Sequence, residues 1–231
     1  MPLLRARLTI PYTRLGMRYT GLSLPAAPSS FVGERLWLDF VNTDTRDVLD
    51  DFPAFLGWLE IAGALEPDRV PGIVRRAEQQ PAGAAAVLAD ARRVRAALRN
   101  LAERGVTVER ARVDALTEIN RVLGRSAGMR RIDLRPDGRC TRTFAPVGDA
   151  FAGLMIPIVD SAADSLVTGE LPRIRRCLGT RCSRVFYDAT KNGCRRWCDM
   201  STCGNRAKAA RHRARRRGTA PSSAPAPAPH P

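Results

Sequence analysis

The sequence lacks a long apolar run and has almost no histidine. Its longest apolar stretch, residues 150–159, is interrupted by Pro157 and is far shorter than the ~18–20 residues that a membrane-spanning helix needs. The N-terminus carries Arg5 and Arg7 but no apolar segment of the secretory type, so we expect a cytoplasmic protein. The histidines, His212 and His230, lie in basic or Pro-rich sequence, and no Gly-rich phosphate loop is present. We therefore expect no enzyme.

Acidic residues are scarce at both ends of the chain. Of 231 residues, 38 are Lys or Arg and 23 are Asp or Glu, which gives a formal charge of +15. Residues 1–30 contain no acid and residues 31–170 are close to neutral, whereas residues 171–231 contain 15 basic residues against Asp188 and Asp199. A strongly basic segment on a near-neutral body predicts a polyanionic partner, nucleic acid before a membrane surface.

Composition and apolar spacing divide the chain into four regions. Residues 1–30 are predicted to be a flexible extension, and residues 218–231, which repeat Ala-Pro, a disordered tail. Residues 31–170 are predicted to form a mostly helical domain with one β-hairpin, an α+β arrangement. Residues 173–217, which contain five of the six cysteines and most of the excess basic charge, are predicted to form a separate small module.

Apolar periodicity gives the expected elements of the helical domain. Asp51 is a candidate N-cap. Val113, Leu116 and Ile119 form the apolar face of one helix, and Pro157 is expected to kink another. The predicted segments are helices at about 34–41, 51–62, 68–80, 84–104 and 107–123, a hairpin over 132–144 and a helix over 151–166.

A polar cluster stands among apolar residues in the first helix. It consists of Asp39, Asn42 and Thr43, within the stretch 38–43. These side chains either cap and hydrogen-bond a turn between two helices or form a small pocket for a ligand. Nothing in the sequence supplies the second half of such a pocket, so the structural interpretation is favoured.

Five of the six cysteines lie within 27 residues. Cys177 and Cys182 form one Cys-x4-Cys pair, Cys198 and Cys203 form a second, and 15 residues separate the two pairs. Between the pairs, residues 185–187 have a strand pattern, Asn192-Gly193 is a tight-turn signal, and residues 195–197 can return as a second strand. This hairpin is expected to bring both pairs around one structural Zn²⁺ ion. Residues 173–217 are therefore predicted to form a small treble-clef-like zinc finger with four cysteine ligands, made of a β-hairpin and a basic helix.

Other cysteine chemistries fit the same spacing. Redox-active thiols and an iron–sulfur cluster are compatible with it, and disulfides conflict with a cytosolic location. The basic context and the intervening hairpin favour structural zinc. Cys194 lies just after the turn glycine, at the far end of the predicted hairpin, so we interpret it as a spare thiol.

The sequence after Cys203 predicts a basic helix. Ala, Arg and Lys favour helix, and no Gly or Pro intervenes between Asn205 and Gly218. Such a helix suits DNA, and RNA grooves as well. In a third interpretation the finger only caps the helical domain and docks a protein partner. The candidate nucleic-acid-binding residues are Arg195, Arg196, Arg206, Lys208, Arg211, Arg213, Arg215, Arg216 and Arg217.

These motifs resemble a known family. The finger pattern, which is Cys177-x4-Cys182, Phe186-x-Asp188 and the run 196–206 ending in Cys203-Gly204-Asn205-Arg206, resembles the CGNR zinc finger. The motifs at 38–43 and 56–59 resemble the ABATE domain that precedes this finger in the same family.

The resemblance covers about residues 31–215. It implies a stress-induced, DNA-binding transcriptional regulator of a mostly bacterial family. For such a regulator, our hypothesis is that the helical domain senses a signal or forms a homodimer. It also implies that Cys177, Cys182, Cys198 and Cys203 are the zinc ligands and that Cys194 is not.

Overall fold

The computed structural model describes residues 31–45, 48–134, 138, 140–147, 151 and 153–217. The predictions for the N-terminal extension, the Ala-Pro tail and most of the turn around Asp137 lie outside these residues. The expected fold class is confirmed, because the described chain is mostly helical with small antiparallel hairpins. Within the described residues, no helix is both long and apolar enough to cross a membrane.

Seven α-helices and four strands are present in the described part of the chain. Short 3₁₀ segments connect several of them, and a π-helical turn, Met200–Gly204, leads into the last helix. The elements are α1 (Leu36–Val41), α2 (Phe52–Ile61), α3 (Val70–Gln79), α4 (Pro81–Arg104), α5 (Glu109–Arg125), β1 (Gly128–Leu134), β2 (Cys140–Pro146), α6 (Ile156–Val167), β3 (Ile174–Arg176), β4 (Val185–Tyr187) and α7 (Asn205–Arg216).

The short helix α1 lies at the centre of the core. Every residue from Trp37 to Val41 is buried, as expected for a helix covered on all sides. It packs against α4, α6 and β4. The indole N–H of Trp37 donates to Ser165 Oγ at 3.0 Å, and the Phe40 ring lies 5.4 Å from that of Trp58. The core is therefore built around the segment that contains the first member of the polar cluster, Asp39, and directly precedes the other two.

The second helix follows the predicted capping pattern. The Asp51 carboxylate accepts a hydrogen bond from the Ala54 N–H at 2.7 Å, and Pro53 lies in the first turn, where no N–H bond is lost. Gly63 has a φ of +67°, the left-handed conformation that commonly ends a helix. Both predicted ends of α2 are confirmed.

The predicted apolar face of α5 is partly wrong. Ile119 is buried as expected, but Val113 and Leu116 are 47% and 44% exposed, and α5 buries Ala111, Ala115 and Val122 in their place. The alanines allow α5 to approach α4 closely, since a small side chain keeps the helix axes near one another. The large apolar side chains of α5 dominate its sequence periodicity. The buried face is instead determined by how closely the helices pack.

The expected kink at Pro157 is also wrong. Helix α6 begins at Ile156, so Pro157 occupies its first turn and interrupts no hydrogen bond. Phe151 and Leu154, which continue the apolar spacing upstream, are buried in the turn before the helix.

The four strands form two antiparallel hairpins. In one of them, a predicted strand pairs with a different segment from the one expected. The predicted hairpin at 132–144 is present, with Leu134 opposite Cys140. The strand 185–187 pairs with 174–176 rather than with 195–197, and Ile174 lies opposite Tyr187. The first cysteine pair therefore lies in the loop of the β3–β4 hairpin itself. The segment 195–197 forms no strand, but its Arg196 carbonyl accepts from the Leu178 N–H at 2.9 Å.

The β3–β4 hairpin is part of the body's core. Ile174 and Val185 belong to the same buried apolar cluster as α1 and α4. Asn42 pairs with the Val185 backbone in both directions, accepting from its N–H at 2.9 Å and donating to its carbonyl at 2.8 Å. Arg99 of α4 donates to the Ser183 and Val41 carbonyls at 2.9 and 3.0 Å. The finger is therefore joined to the helices by a continuous core and by buried hydrogen bonds.

Replacing Asn42 tests the hydrogen bonds that connect the finger to the helices. Asn42→Ala leaves both backbone groups of Val185 without partners, so we expect a loss of about 2–3 kcal/mol in the free energy of unfolding. Asn120→Ala removes the same side chain from an exposed position of α5 and should change stability by less than about 0.5 kcal/mol. Urea denaturation measures both free energies of unfolding. Equal effects of the two substitutions would contradict a stabilising role for the hydrogen bonds between Asn42 and Val185.

Candidate metal centre

Four sulfur atoms converge at the C-terminal end of the fold. The Sγ atoms of Cys177, Cys182, Cys198 and Cys203 all lie within 4.8 Å of one another. Two of the separations are 3.9 Å, Cys182 to Cys198, and 3.8 Å, Cys198 to Cys203. Four sulfurs held at ~2.3 Å from a tetrahedral zinc ion would be about 3.8 Å apart. The sulfur positions thus fit a tetrahedral metal site closed by protein ligands.

The loop of the β3–β4 hairpin supplies the first two ligands. Cys177 directly follows β3 and Cys182 lies three residues before β4. The N–H groups of Gly179 and Cys198 point to Cys177 Sγ, at 3.4 and 3.3 Å. A Cβ on Gly179 would lie 3.0 Å from Cys203 Sγ, so the close approach of the two pairs favours glycine there.

The turn before α7 supplies the other two ligands. Asp199, next to Cys198, caps this turn by accepting from the Ser201 N–H at 2.6 Å. Cys203 lies within the π-helical turn that runs directly into α7. Arg206 donates from Nη2 to Cys203 Sγ at 3.0 Å. The first turn of α7 is therefore attached to the sulfur cluster.

Burial makes four thiolates unfavourable here unless a cation balances them. Burial raises the pKa of Cys198 and of Cys182, because an apolar pocket solvates a thiolate poorly. Burial acts in the same direction on Cys203, but hydrogen bonds, first among them that of Arg206, outweigh it and lower its pKa to about 7. Val32, Phe186 and Trp197 pack around the sulfurs and exclude water. A divalent cation among four thiolates would offset this cost directly.

Asp188 organises the finger, a role that the sequence analysis did not assign. Its side chain is buried and accepts from the N–H groups of Thr190 and Arg195, at 2.9 and 2.8 Å. Burial alone would raise its pKa, but these hydrogen bonds outweigh burial and lower it. They fix the predicted turn, where Gly193 has a φ of +59°. The sequence did contain a signal for this role. Asp188 is one of two acidic residues in the basic segment 171–231, and it lies two residues after Phe186.

The predicted nucleic-acid-binding residues occupy two different environments. Arg195 donates to the carbonyls of Trp197 and Cys198, at 3.0 and 2.5 Å, and pairs with Glu34. Its guanidinium also lies 4.6 Å from the centre of the Phe186 ring. Arg195 therefore braces the finger, and we leave it out of the proposed interface. Arg196 and the basic residues of α7 are exposed, and Arg206 is attached to Cys203.

The polar cluster at the end of α1 is hydrogen-bonded within the chain. Asp39 accepts from the Gly33 N–H at 2.8 Å. Thr43 donates to the Phe40 carbonyl at 2.7 Å and accepts from Arg95 at 3.0 Å. Burial raises the pKa of Asp39 to about 7 despite its backbone hydrogen bonds. With Asn42 on Val185, these side chains attach α1 to the segments beside it.

A helical domain with a C-terminal four-cysteine finger defines the class of this protein. Residues 34–170 match the ABATE family, which is described as "Putative stress-induced transcription regulator", and residues 173–216 match the CGNR zinc finger. The ABATE match covers more than half of the chain, so the protein belongs to this family. The resemblance seen in the sequence is thereby confirmed. A search of the curated proteins found no match.

Gly179 provides a test of the sulfur arrangement. In Gly179→Ala the new methyl group crowds Cys203 Sγ, so we expect a lower metal content after purification and a lower melting temperature. In the control, Gly72→Ala, the added Cβ meets nothing within 4 Å and should leave the metal content unchanged. A fully metal-loaded Gly179→Ala protein of unchanged stability would contradict the close approach.

Proposed function

We propose that this protein is a zinc-dependent, DNA-binding transcriptional regulator and not an enzyme. Cys177, Cys182, Cys198 and Cys203 hold one structural Zn²⁺, and α7 contacts DNA. The observation that carries the proposal is the form of α7, a basic helix that is anchored to the sulfur cluster at one end and buries none of its residues.

Zinc is the metal favoured by the chemistry of the donors. Four thiolates select zinc or iron–sulfur chemistry over hard cations, and the sulfur spacing matches a single tetrahedral ion. Four protein ligands leave no open coordination position for water or substrate, as in structural zinc sites. This supports a structural role for the metal and argues against metal-dependent catalysis.

The composition of α7 supports a polyanionic partner. Its 12 residues include six Arg or Lys and no acid. Isolated helices shorter than about 12–15 residues are marginal in water, and like charges four residues apart, such as Arg211 and Arg215, repel. Phosphates would relieve this repulsion, and a single helix fits the major groove of B-DNA. The helix therefore gains stability from the partner for which its charge is suited.

The family description supports a regulatory role for the rest of the chain. We assign sensing of a signal, or formation of a homodimer, to residues 31–170. The continuous core between α1 and β4 supplies a physical route by which a change in the body would reach the finger.

Metal analysis tests the zinc assignment. We expect about one equivalent of zinc per chain, kept in Cys194→Ser, since Cys194 is exposed outside the cluster, and lost or much weakened in Cys198→Ser. Because the hairpin belongs to the body's core, chelation should lower the melting temperature of the whole chain in one transition. Loss of zinc in Cys194→Ser would overturn the ligand set.

DNA binding by α7 is tested by removing charge while keeping helix propensity. The triple variant Arg211→Ala, Arg213→Ala and Arg215→Ala should bind duplex DNA more weakly. Its log–log salt slope should flatten by up to about 2.7, since each neutralised phosphate contributes about 0.9. The matched control removes three charges near α3, at Arg69, Arg75 and Arg76, and should bind as the unaltered chain does.

Two outcomes would contradict this assignment. A chain ending at residue 204 that binds DNA as well as the full chain would remove α7 from the interface. Tighter binding to structured RNA than to duplex DNA at the same salt concentration would favour the RNA-binding alternative.

A further inference from the structure

A groove separates the cysteine loop of the β3–β4 hairpin from the first turns of α7. Its volume is about 740 Å³, ample for a phosphate group with its neighbouring sugars. None of the described residues that line it has a carboxylate side chain, and its other walls are the sulfur cluster and small residues. Its charged and polar side chains include Arg181, Ser183, Arg184, Thr202, Asn205 and Arg206. A groove with three guanidinium groups, hydroxyls and an amide is suited to an anion.

Arg181 occupies a backbone position that favours glycine. Its φ is +62°, and the left-handed conformation costs a residue with a Cβ about 1 kcal/mol or more. Glycine would adopt it without that cost. Residues held in sparsely populated conformations cluster at functional sites. The chain thus has an exposed arginine where its fold favours glycine, and this arginine lines the groove.

Arg206 forms part of the opposite wall and is already positioned. Its Nη2 donates to Cys203 Sγ at 3.0 Å, which holds the side chain against the finger. A guanidinium has five N–H donors in a planar fork, so this single bond leaves capacity for a second, anionic partner. A held arginine loses little conformational entropy when it binds a phosphate.

We infer that this groove binds a phosphate of the nucleic-acid backbone between Arg181 and Arg206. The inference rests on the proposed DNA binding and extends it, because DNA would then contact the cysteine loop as well as α7. Two contacts on different elements fix the angle at which α7 meets the duplex. Contacts along one helix alone would leave the helix free to rotate about its own axis.

The competing explanation is that the arginines only balance the charge of the metal site. Four thiolates and one Zn²⁺ carry a net charge of −2, and Arg206 donates directly to one of the sulfurs. Under this explanation, removing Arg181 would weaken metal binding or stability and leave the affinity for DNA unchanged.

Arg181→Gly separates the two explanations, because glycine suits the backbone at this position. We expect full zinc content, a melting temperature equal to or slightly above that of the unaltered chain, and about tenfold weaker binding to duplex DNA. The salt slope should flatten by about 0.9, the contribution of one phosphate. Arg75→Ala, which removes an exposed charge from α3, is the control and should bind normally. Fluorescence anisotropy with a labelled duplex at several salt concentrations provides the measurement.

The possible results distinguish failure of the groove from failure of DNA binding. Suppose that Arg181→Gly binds DNA as the unaltered chain does while the triple variant of α7 binds more weakly. Phosphate binding in the groove is then refuted, and the proposed function is retained. Loss of zinc or stability in Arg181→Gly, with normal affinity for DNA, also overturns the groove and favours charge balance. If the full chain binds no duplex DNA, both proposals fall.

Discussion

The convergence of four sulfur atoms is the constraint on which the C-terminal part of this structure depends. No described strand or helix of the finger is long enough to be stable alone, since β3 and β4 have three residues each. The cysteine loop and the turn before α7 approach so closely that a Cβ at residue 179 would lie only 3.0 Å from Cys203 Sγ. Binding of the proposed metal would therefore contribute directly to folding here, as it does in other small metal-bound modules.

The finger nevertheless does not stand apart from the body. The Gly33 carbonyl accepts from the Tyr187 N–H at 2.9 Å, on β4. The Arg35 guanidinium lies 3.9 Å from the centre of the Tyr187 ring and pairs with Glu170. Val32, from the same segment, packs among the cysteines. A segment from the start of the helical domain thus contributes to the apolar wall around the sulfurs, so the stability of the body and of the metal centre is coupled.

Sequence patterns predicted the local features and missed those set by packing between distant segments. The cap at Asp51 and the four converging cysteines depend on spacing along the chain, and both were predictable. The choice of Ile174–Arg176 as the partner of β4 depends on the body's core and on Asn42, which lies far upstream in the sequence. The brace formed by Arg195 likewise depends on Glu34 and on a buried aromatic ring. From its charge alone, the sequence analysis placed Arg195 among the candidate nucleic-acid-binding residues.

Charge and packing together explain why the finger ends in a helix that contacts little else. Along α7 the repulsion among basic residues is not offset by burial, so its first turn depends on Arg206 and the sulfur cluster. Four thiolates around a divalent cation would leave an excess of negative charge at that end, which favours arginine close to the cluster. Arg213 and Arg216 lie farther along the helix, away from this charge. Nothing described in the chain offsets the repulsion there, and the polyanion that we propose as the partner would do so.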